Sequence, residues 1–227
     1  MWAVVPLKRL EQAKARLANV LSADERRSLM LAMARDVLTA LSRASELHGI
    51  LLVSRTAEAD ALAQSFNTER FAESPSANLS ASLAQASEYL IGQFQAPGVM
   101  IVPADVPLIT PDEIDGIVRQ HAAGGTPAVT VVPDNDNIGT NCLICSPPNC
   151  IDYLFDGKSF KPHLEAATAQ GLTPTIMPSA GFGLDIDTPS DLKTLLHRDP
   201  ASQTAAYLAK SGIATRLADT DNSLTSS

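Results

Sequence analysis

No run of apolar residues in the chain approaches the ~18–20 that a bilayer-spanning helix requires. Met1 leads at once into Trp2-Ala3-Val4-Val5, with neither the charged segment nor the small-residue cleavage site of an export signal. The expectation is a cytoplasmic protein without a membrane partner. Positive charge is also scarce: 17 Lys and Arg stand against 25 Asp and Glu, a formal net charge of −8. Such a chain repels polyanions unless its cations are clustered, so a nucleic-acid partner is not expected. Cysteine is scarcer still. Cys142, Cys145 and Cys150 are odd in number and fall within nine positions of a long chain, which does not make a secreted disulfide framework; reduced thiols are expected. Cys142-x-x-Cys145 lacks further soft ligands at metal spacing. An i,i+3 pair on a strand also sends its thiols to opposite faces, which argues against zinc. Internal repeats and domain linkers are missing too.

What is present is a chain of 227 residues, 45% hydrophobic and 19% charged, with a mean hydropathy of +0.04. That is too apolar for disorder, too polar for a membrane bundle and long enough to bury a core. Short β-branched runs at Trp2 to Val5, Gly49 to Val53, Val99 to Val102 and Ala128 to Val132 read as buried strands. Between them, Ala23 to Ala44, Glu58 to Phe66, Leu79 to Phe94 and Pro111 to His121 have helical spacing. Ser22 with Glu25 and Thr110 with Pro111 are start signals. The alternation predicts an α/β fold, a Rossmann-like, mostly parallel sheet with helices on both faces and ligands at the carboxyl ends of its strands.

Beyond Asn135 the rhythm breaks into Asn-, Asp-, Gly- and Pro-rich loops around a strand at Thr140 to Ile144. A helix near Lys161 to Ala169, a strand at Thr173 to Met177, a turn at Ser179 to Gly183 and a helix from Pro189 capped by Thr188 follow. Residues 1–200 are expected to form one domain. Residues 201–227 are expected to add a helix at Ala201 to Ala209 and a polar, frayed tail from Asp219.

Three places could carry chemistry. Lys8, Lys14 and Arg16 follow the first strand, where an open α/β sheet receives phosphate, although a solvated helix face has the same look. Asp105 ends the third candidate strand between Pro103 and Pro107, placed either to hold a divalent cation or to cap a turn. In Gly183-Leu184-Asp185-Ile186-Asp187-Thr188-Pro189 the two carboxylates at i and i+2 point the same way while Leu184 and Ile186 point inward.

Taken together, Pro6-x-Lys8, Ala13-Lys14-x-Arg16-Leu17, Pro103-Ala104-Asp105-x-Pro107-Leu108, Pro133-Asp134, Gly139-Thr140-Asn141, Ser159-Phe160-x-x-His163 and Leu184-Asp185-Ile186-Asp187-Thr188-Pro189 form a recognisable set. This set resembles the guanylyltransferases that activate a phosphorylated three-carbon acid in biosynthesis of the deazaflavin coenzyme F-420. The resemblance covers roughly residues 2 to 196. It implies a nucleotide-diphospho-sugar-transferase-like fold and a reaction of GTP with 2-phospho-L-lactate, phosphoenolpyruvate or 3-phospho-D-glycerate that releases pyrophosphate. It also implies Mg²⁺ on Asp105, Asp185 and Asp187, and the leaving pyrophosphate on Lys8, Lys14 and Arg16. The acid would lie on Thr140, Asn141, Gly157, Ser159 and His163, and the nucleoside near Asn78 and Ser80. Two departures stand out: Asp156 occupies a family glycine position, and Asn78-Leu79-Ser80 replaces Gly-Leu-Asn. A cytidylyl or sugar-nucleotide transferase of the same fold, and a nucleotide-binding protein without turnover, are the alternative readings.

Overall fold

The computed structural model describes residues 1–7 and 14–224, of which 219–224 are described as backbone only. Among them the strands are β1 (Trp2–Pro6), β2 (Gly49–Ser54), β3 (Glu69–Ala72), β4 (Val99–Ile101), β5 (Ala128–Pro133), β6 (Thr140–Ser146) and β7 (Thr175–Ile176). They form one sheet in the order β3-β2-β1-β4-β6-β5-β7. All neighbours run parallel except β6, which is antiparallel to both β4 and β5.

The helices are α1 (Ala23–Arg43), α2 (Ala57–Phe66), α3 (Leu79–Phe94), α4 (Pro111–Ala123), α5 (Phe160–Ala169), α6 (Pro189–Arg198), α7 (Gln203–Lys210) and α8 (Ile213–Leu224). Their starts are set by local chemistry. Capping boxes formed by Ser22 with Glu25, Thr110 with Glu113 and Thr188 with Asp191 satisfy the first free N–H groups of α1, α4 and α6, and the latter two also have proline in the first turn.

Strand alternation sorts the core into two layers. Ala3, Val5, Ile50 and Leu52 face Leu29, Met33 and Val37 of α1 and Ile114 of α4, whereas Val4, Leu51, Val53 and Ile101 face Leu83 and Leu90 of α3. Both sheet faces are therefore covered, as parallel strands require. Trp2 is a core residue: its indole lies across the Cα of Gly49, its partner on β2, where any side chain would collide with the ring, and stacks obliquely on Phe94 at 4.4 Å between centroids.

Two elements depart from the sequence reading. β3 is a strand that was not anticipated: only four residues long, with an exposed or half-buried pattern, it lacks the apolar run that reveals buried strands. At the other end residues 219–224 of the expected polar tail instead continue the helix α8, whose Ile213 and Leu217 are anchored in the core; residues 225–227 lie outside the described residues. Cys142 and Cys145 lie in opposite core layers, as an i,i+3 strand pair must. No helix among the described residues is long and apolar enough to cross a membrane.

Asp36 of α1 caps the start of α7, accepting from Gln203 N at 2.9 Å, Thr204 N at 2.9 Å and Thr204 Oγ1 at 2.6 Å. Asp36→Ala is expected to cost about 1–2 kcal/mol and lower Tm by roughly 2–6 °C; an unchanged melting curve would show that α7 docks without this cap.

Candidate active site

The parallel strands β1, β2, β3, β4 and β5 all end at one edge of the sheet, and antiparallel β6 brings its first residue to that same edge. Leu7 closes β1 with an N–H bond to Val53 O at 2.8 Å. Lys8 lies outside the described residues. The chain is described again at Lys14, which has a left-handed backbone (φ 57°) and starts a single 3-10 turn, Ala15–Leu17, pinned by the fully buried Leu17. A positive φ on a non-glycine residue is uncommon and needs anchoring.

The anchor is the Lys14 ammonium, which donates to Asp105 Oδ2 at 2.5 Å and to Asp187 Oδ1 at 2.8 Å, with its side chain only 4% exposed. Burial works against the charge, but the two carboxylates outweigh it and raise the lysine pKa above its ordinary value. Arg16, largely exposed, lies 3.6 Å from the other oxygen of Asp187 and adds a weak, screened attraction.

The convergence of Asp105 with the 185–187 segment has backbone causes. Ile186 N donates to Asp105 O at 3.0 Å, and Asp187 N donates to Asp191 Oδ2, where the α6 capping box begins. Upstream, the turn at Ser179 to Gly183 is tied to α4: Glu113 Oε1 accepts from Ser179 Oγ and Gly181 N, both at 2.7 Å, while its Oε2 accepts from Thr110. Burial opposes the ionised form of Glu113, yet these hydrogen bonds hold its pKa below the usual carboxylate range. Gly181 is required here because a Cβ would stand 2.6 Å from Leu108 O and 2.8 Å from Ile109 Cα. Sequence reasoning missed Glu113: its spacing from Thr110 is a local capping signal, but its second oxygen, which fixes the aspartate-bearing segment, has no sequence signal.

Asp185, half-buried, is the third carboxylate. Burial, then the charges of Asp105 and Asp187, raise its pKa, against a hydrogen bond of 3.2 Å from Asn141 Nδ2 to its Oδ1. Asn141 also donates to Phe182 O at 2.8 Å. It can do both because the β5–β6 register shifts between Val132 and Pro133, whose partners are Cys142 and Thr140, so Asn141 is the extra residue of a bulge. Bulges re-aim side chains in this way beside functional sites.

Thr140, next to the bulge, faces α5. Its N–H donates to Ser159 Oγ at 3.0 Å, and its Oγ1 lies 3.0 Å from His163 Nδ1. Leu154 N donates to His163 Nε2 at 2.9 Å, so Nε2 is the acceptor, the neutral ring carries its proton on Nδ1, and Thr140 Oγ1 receives it. The Thr140 hydroxyl is thereby left as a donor. His163 is fully buried with both nitrogens engaged, which revises the expectation that it touches substrate: it orients Thr140. Gly157 sits in the adjoining exposed loop at φ +89°, where a side chain would be strained, and Asp156 folds back to accept from Lys158 N at 3.1 Å. Phe160 packs against the core layer of α3, as expected of a structural residue. Asn78 is exposed and spends its side-chain oxygen on Ala81 N as the N-cap of α3, with Ser80 half-buried in the first turn.

The structure thus brings Lys14, Arg16, Asp105, Asp185 and Asp187 into one cluster and Thr140, Ser159 and His163 into another, with Asn141 between them. Asn78 and Ser80 stand apart at the amino end of α3. Among the described residues no group of three or more His, Cys, Asp or Glu side chains is arranged to hold a metal ion by itself.

Residues 1–225 match the family described as "Guanylyl transferase CofC like". The chain is 36% identical over 203 residues to a phosphoenolpyruvate guanylyltransferase of Sphaerobacter thermophilus, covering 89% of this chain and 96% of the relative. It is 30% identical over 208 residues to a 2-phospho-L-lactate guanylyltransferase of Methanothermobacter thermautotrophicus, covering 92% and 89%. In architecture it is similar to a putative nucleotide-diphospho-sugar transferase from Desulfovibrio desulfuricans G20, with a TM-score of 0.74 at 17% identity over 95% of this chain and 96% of that one.

Burial, with a small opposing pull from Asp156, lowers the His163 pKa to about 4 from an ordinary 6.5. Between those values the unfolded chain binds more protons than the folded one, so stability falls as pH falls through this window, by up to roughly 1.4 kcal/mol per pH unit. His163→Gln is expected to flatten that slope in thermal melts at pH 7 and pH 4.5. Parallel slopes in the two proteins would show that the ring is not held neutral.

Proposed function

The chain belongs to the CofC-like guanylyl transferase family, and from that premise we propose that it joins GTP to a phosphorylated three-carbon acid, releasing pyrophosphate, as a step in coenzyme F-420 biosynthesis. The observation that carries this reading is the Lys14 ammonium buried between Asp105 and Asp187 at the ligand edge of the sheet, with a separate set of hydroxyl donors one strand away. The acid is proposed to be phosphoenolpyruvate, 2-phospho-L-lactate or 3-phospho-D-glycerate.

In the proposed reaction an oxygen of the acid's phosphate attacks the α-phosphorus of GTP. The new P–O bond forms as the bond from the α-phosphorus to the α–β bridging oxygen breaks, and pyrophosphate leaves with that electron pair. The attacking oxygen is already anionic, so no general base is needed, and enclosed histidines such as His121 and His163 are no obstacle. Lys14 and Arg16, with Lys8 by resemblance, neutralise charge on the leaving pyrophosphate. Thr140 donates its hydroxyl to the acid, Ser159 and the open backbone at Gly157 flank the same end, and Asn141 keeps Asp185 oriented beside it. Asn78 and Ser80 are assigned to the nucleoside side.

Mg²⁺ is proposed as the resident cation on Asp105, Asp185 and Asp187. The donor type suits this ion, all three being hard carboxylate oxygens, but here Lys14 holds Asp105 Oδ2 and Asp187 Oδ1, so the three are not arranged around one metal position and the ion would have to share them with the ammonium. Bound there, the ion would supply charge neutralisation to the triphosphate and acid oxygens.

Mass-spectrometric product analysis with GTP and each acid in turn is expected to yield one guanylyl diphospho-acid and pyrophosphate; equal use of CTP or ATP would remove the guanylyl assignment. Asp105→Asn and Asp187→Asn are each expected to fold and to lower turnover by about two to three orders of magnitude, the scale of losing one electrostatic stabiliser of a transition state. Full activity in a folded Asp105→Asn protein would reduce this aspartate to a turn residue.

A further inference from the structure

Two strands away from the carboxylates lies an ion pair that the reaction scheme does not use. Arg55, just beyond the end of β2, donates from Nε to Glu73 Oε1 at 3.1 Å, from Nη1 to Pro75 O at 2.7 Å and from Nη2 to Ala77 O at 3.3 Å. Glu73, just beyond the end of β3, uses its second oxygen to accept from Ser82 Oγ at 2.6 Å. Ser82 is fully buried in α3, and the Arg55 and Glu73 side chains are mostly enclosed. A single guanidinium therefore gathers the whole connection between β3 and α3, and Glu73 extends the grip into the helix. Only arginine offers a planar fork that reaches three acceptors at once; lysine is a single point charge. With its fork turned onto this loop, Arg55 is committed to shaping protein.

The place of this clamp matters. In the order β3-β2-β1-β4-β6-β5-β7, Thr140 sits at β6, Asp105 follows β4, and Lys14 lies beyond β1. If the triphosphate is at Lys14 and the acid at Thr140, the strand ends left for the nucleoside are those of β1, β2 and β3. α3 packs on β1 and β2, so its amino end, with Asn78 and Ser80, overhangs that space, and the clamped loop 73–78 bounds it.

We propose that the Arg55–Glu73–Ser82 chain is the positioning device for nucleobase selection: it holds loop 74–78 and the amino end of α3 as one rigid wall beside the base, so that guanine is preferred over adenine. This rests on the guanylyl-transfer reading. None of the three residues touches the reacting atoms; they act through the loop. A partly buried ion pair of this kind contributes little net stability compared with apolar packing, and what it does supply is one defined loop conformation.

The test is steady-state kinetics and equilibrium binding of GTP and ATP with the full chain, comparing wild type with Glu73→Gln, Arg55→Lys and Ser82→Ala. Losing a charged partner is expected to raise KM for GTP about tenfold and to reduce the GTP-over-ATP preference by a similar factor. The values of kcat and KM for the acid are expected to stay within about threefold, since no transition-state contact is removed. Arg55→Lys is expected not to rescue, and Ser82→Ala to show a smaller effect of the same kind. Folded variants with an unchanged GTP-over-ATP ratio would overturn the inference, as would loss of folding in all three, which would make the clamp structural only. A wild type with no preference for GTP would overturn the guanylyl reading itself and this inference with it.

Discussion

The buried ammonium of Lys14 is what allows three aspartates to share one crevice. Asp105, Asp185 and Asp187 come together at the end of a sheet whose interior is apolar, where burial and then the neighbouring carboxylate charges raise the pKa of Asp185. Lys14 supplies the opposing charge at 2.5 and 2.8 Å from two of them, and the same contacts secure a left-handed backbone at the turn where β1 hands over to the helical layer. Leu17 three residues on, the Asp105 carbonyl held by Ile186, and the turn gripped by Glu113 are the scaffolding that keeps these charges in register. The cluster is a matched set, in which the position of each group depends on the presence of the others.

Around that set the sheet makes a division of labour. The parallel half, β3-β2-β1-β4, delivers the basic turn, Asp105 and the Arg55–Glu73 loop by ordinary strand ends. Antiparallel β6 delivers Thr140 by its beginning, and the bulge at Asn141 lets two consecutive residues serve different neighbours. Ser159 and His163 then lock Thr140 from beneath, through contacts that close between residues 19 and 23 positions apart.

Much of this was legible in the sequence. The buried strands announced themselves as β-branched runs, and Ser22, Thr110 and Thr188 announced the starts of their helices because capping is local chemistry. The grouping of Lys14 with Asp105, Asp185 and Asp187 followed from the rule that open α/β sheets bind at their carboxyl edge, together with the family resemblance. β3 was missed because a short half-exposed edge strand has no apolar signature, and α8 because its polar composition hid the Ile213 and Leu217 anchors. The bulge at Asn141 and the second grip of Glu113 are register and tertiary effects, with no pattern in a single sequence to betray them. His163 illustrates the same limit: its place in a motif was visible, but its burial under Thr140 was not.

The reversal of β6 has an evolutionary corollary. Thr140, proposed to meet the acid, stands on the one strand that runs against the rest, flanked by the loops 134–139 and 155–159, while the cations and carboxylates stand after strands of the other direction and on the turn before α6. Among the described residues the two halves are tied by Asn141, which donates to Phe182 O and Asp185 Oδ1, and by Asn135 N, which donates to Gly183 O at 2.9 Å. Exchanges in the loop 155–159, which carries none of these ties, can therefore reshape the surroundings of Thr140 while the charge cluster keeps its supports, so the two parts of the proposed site are free to diverge at different rates.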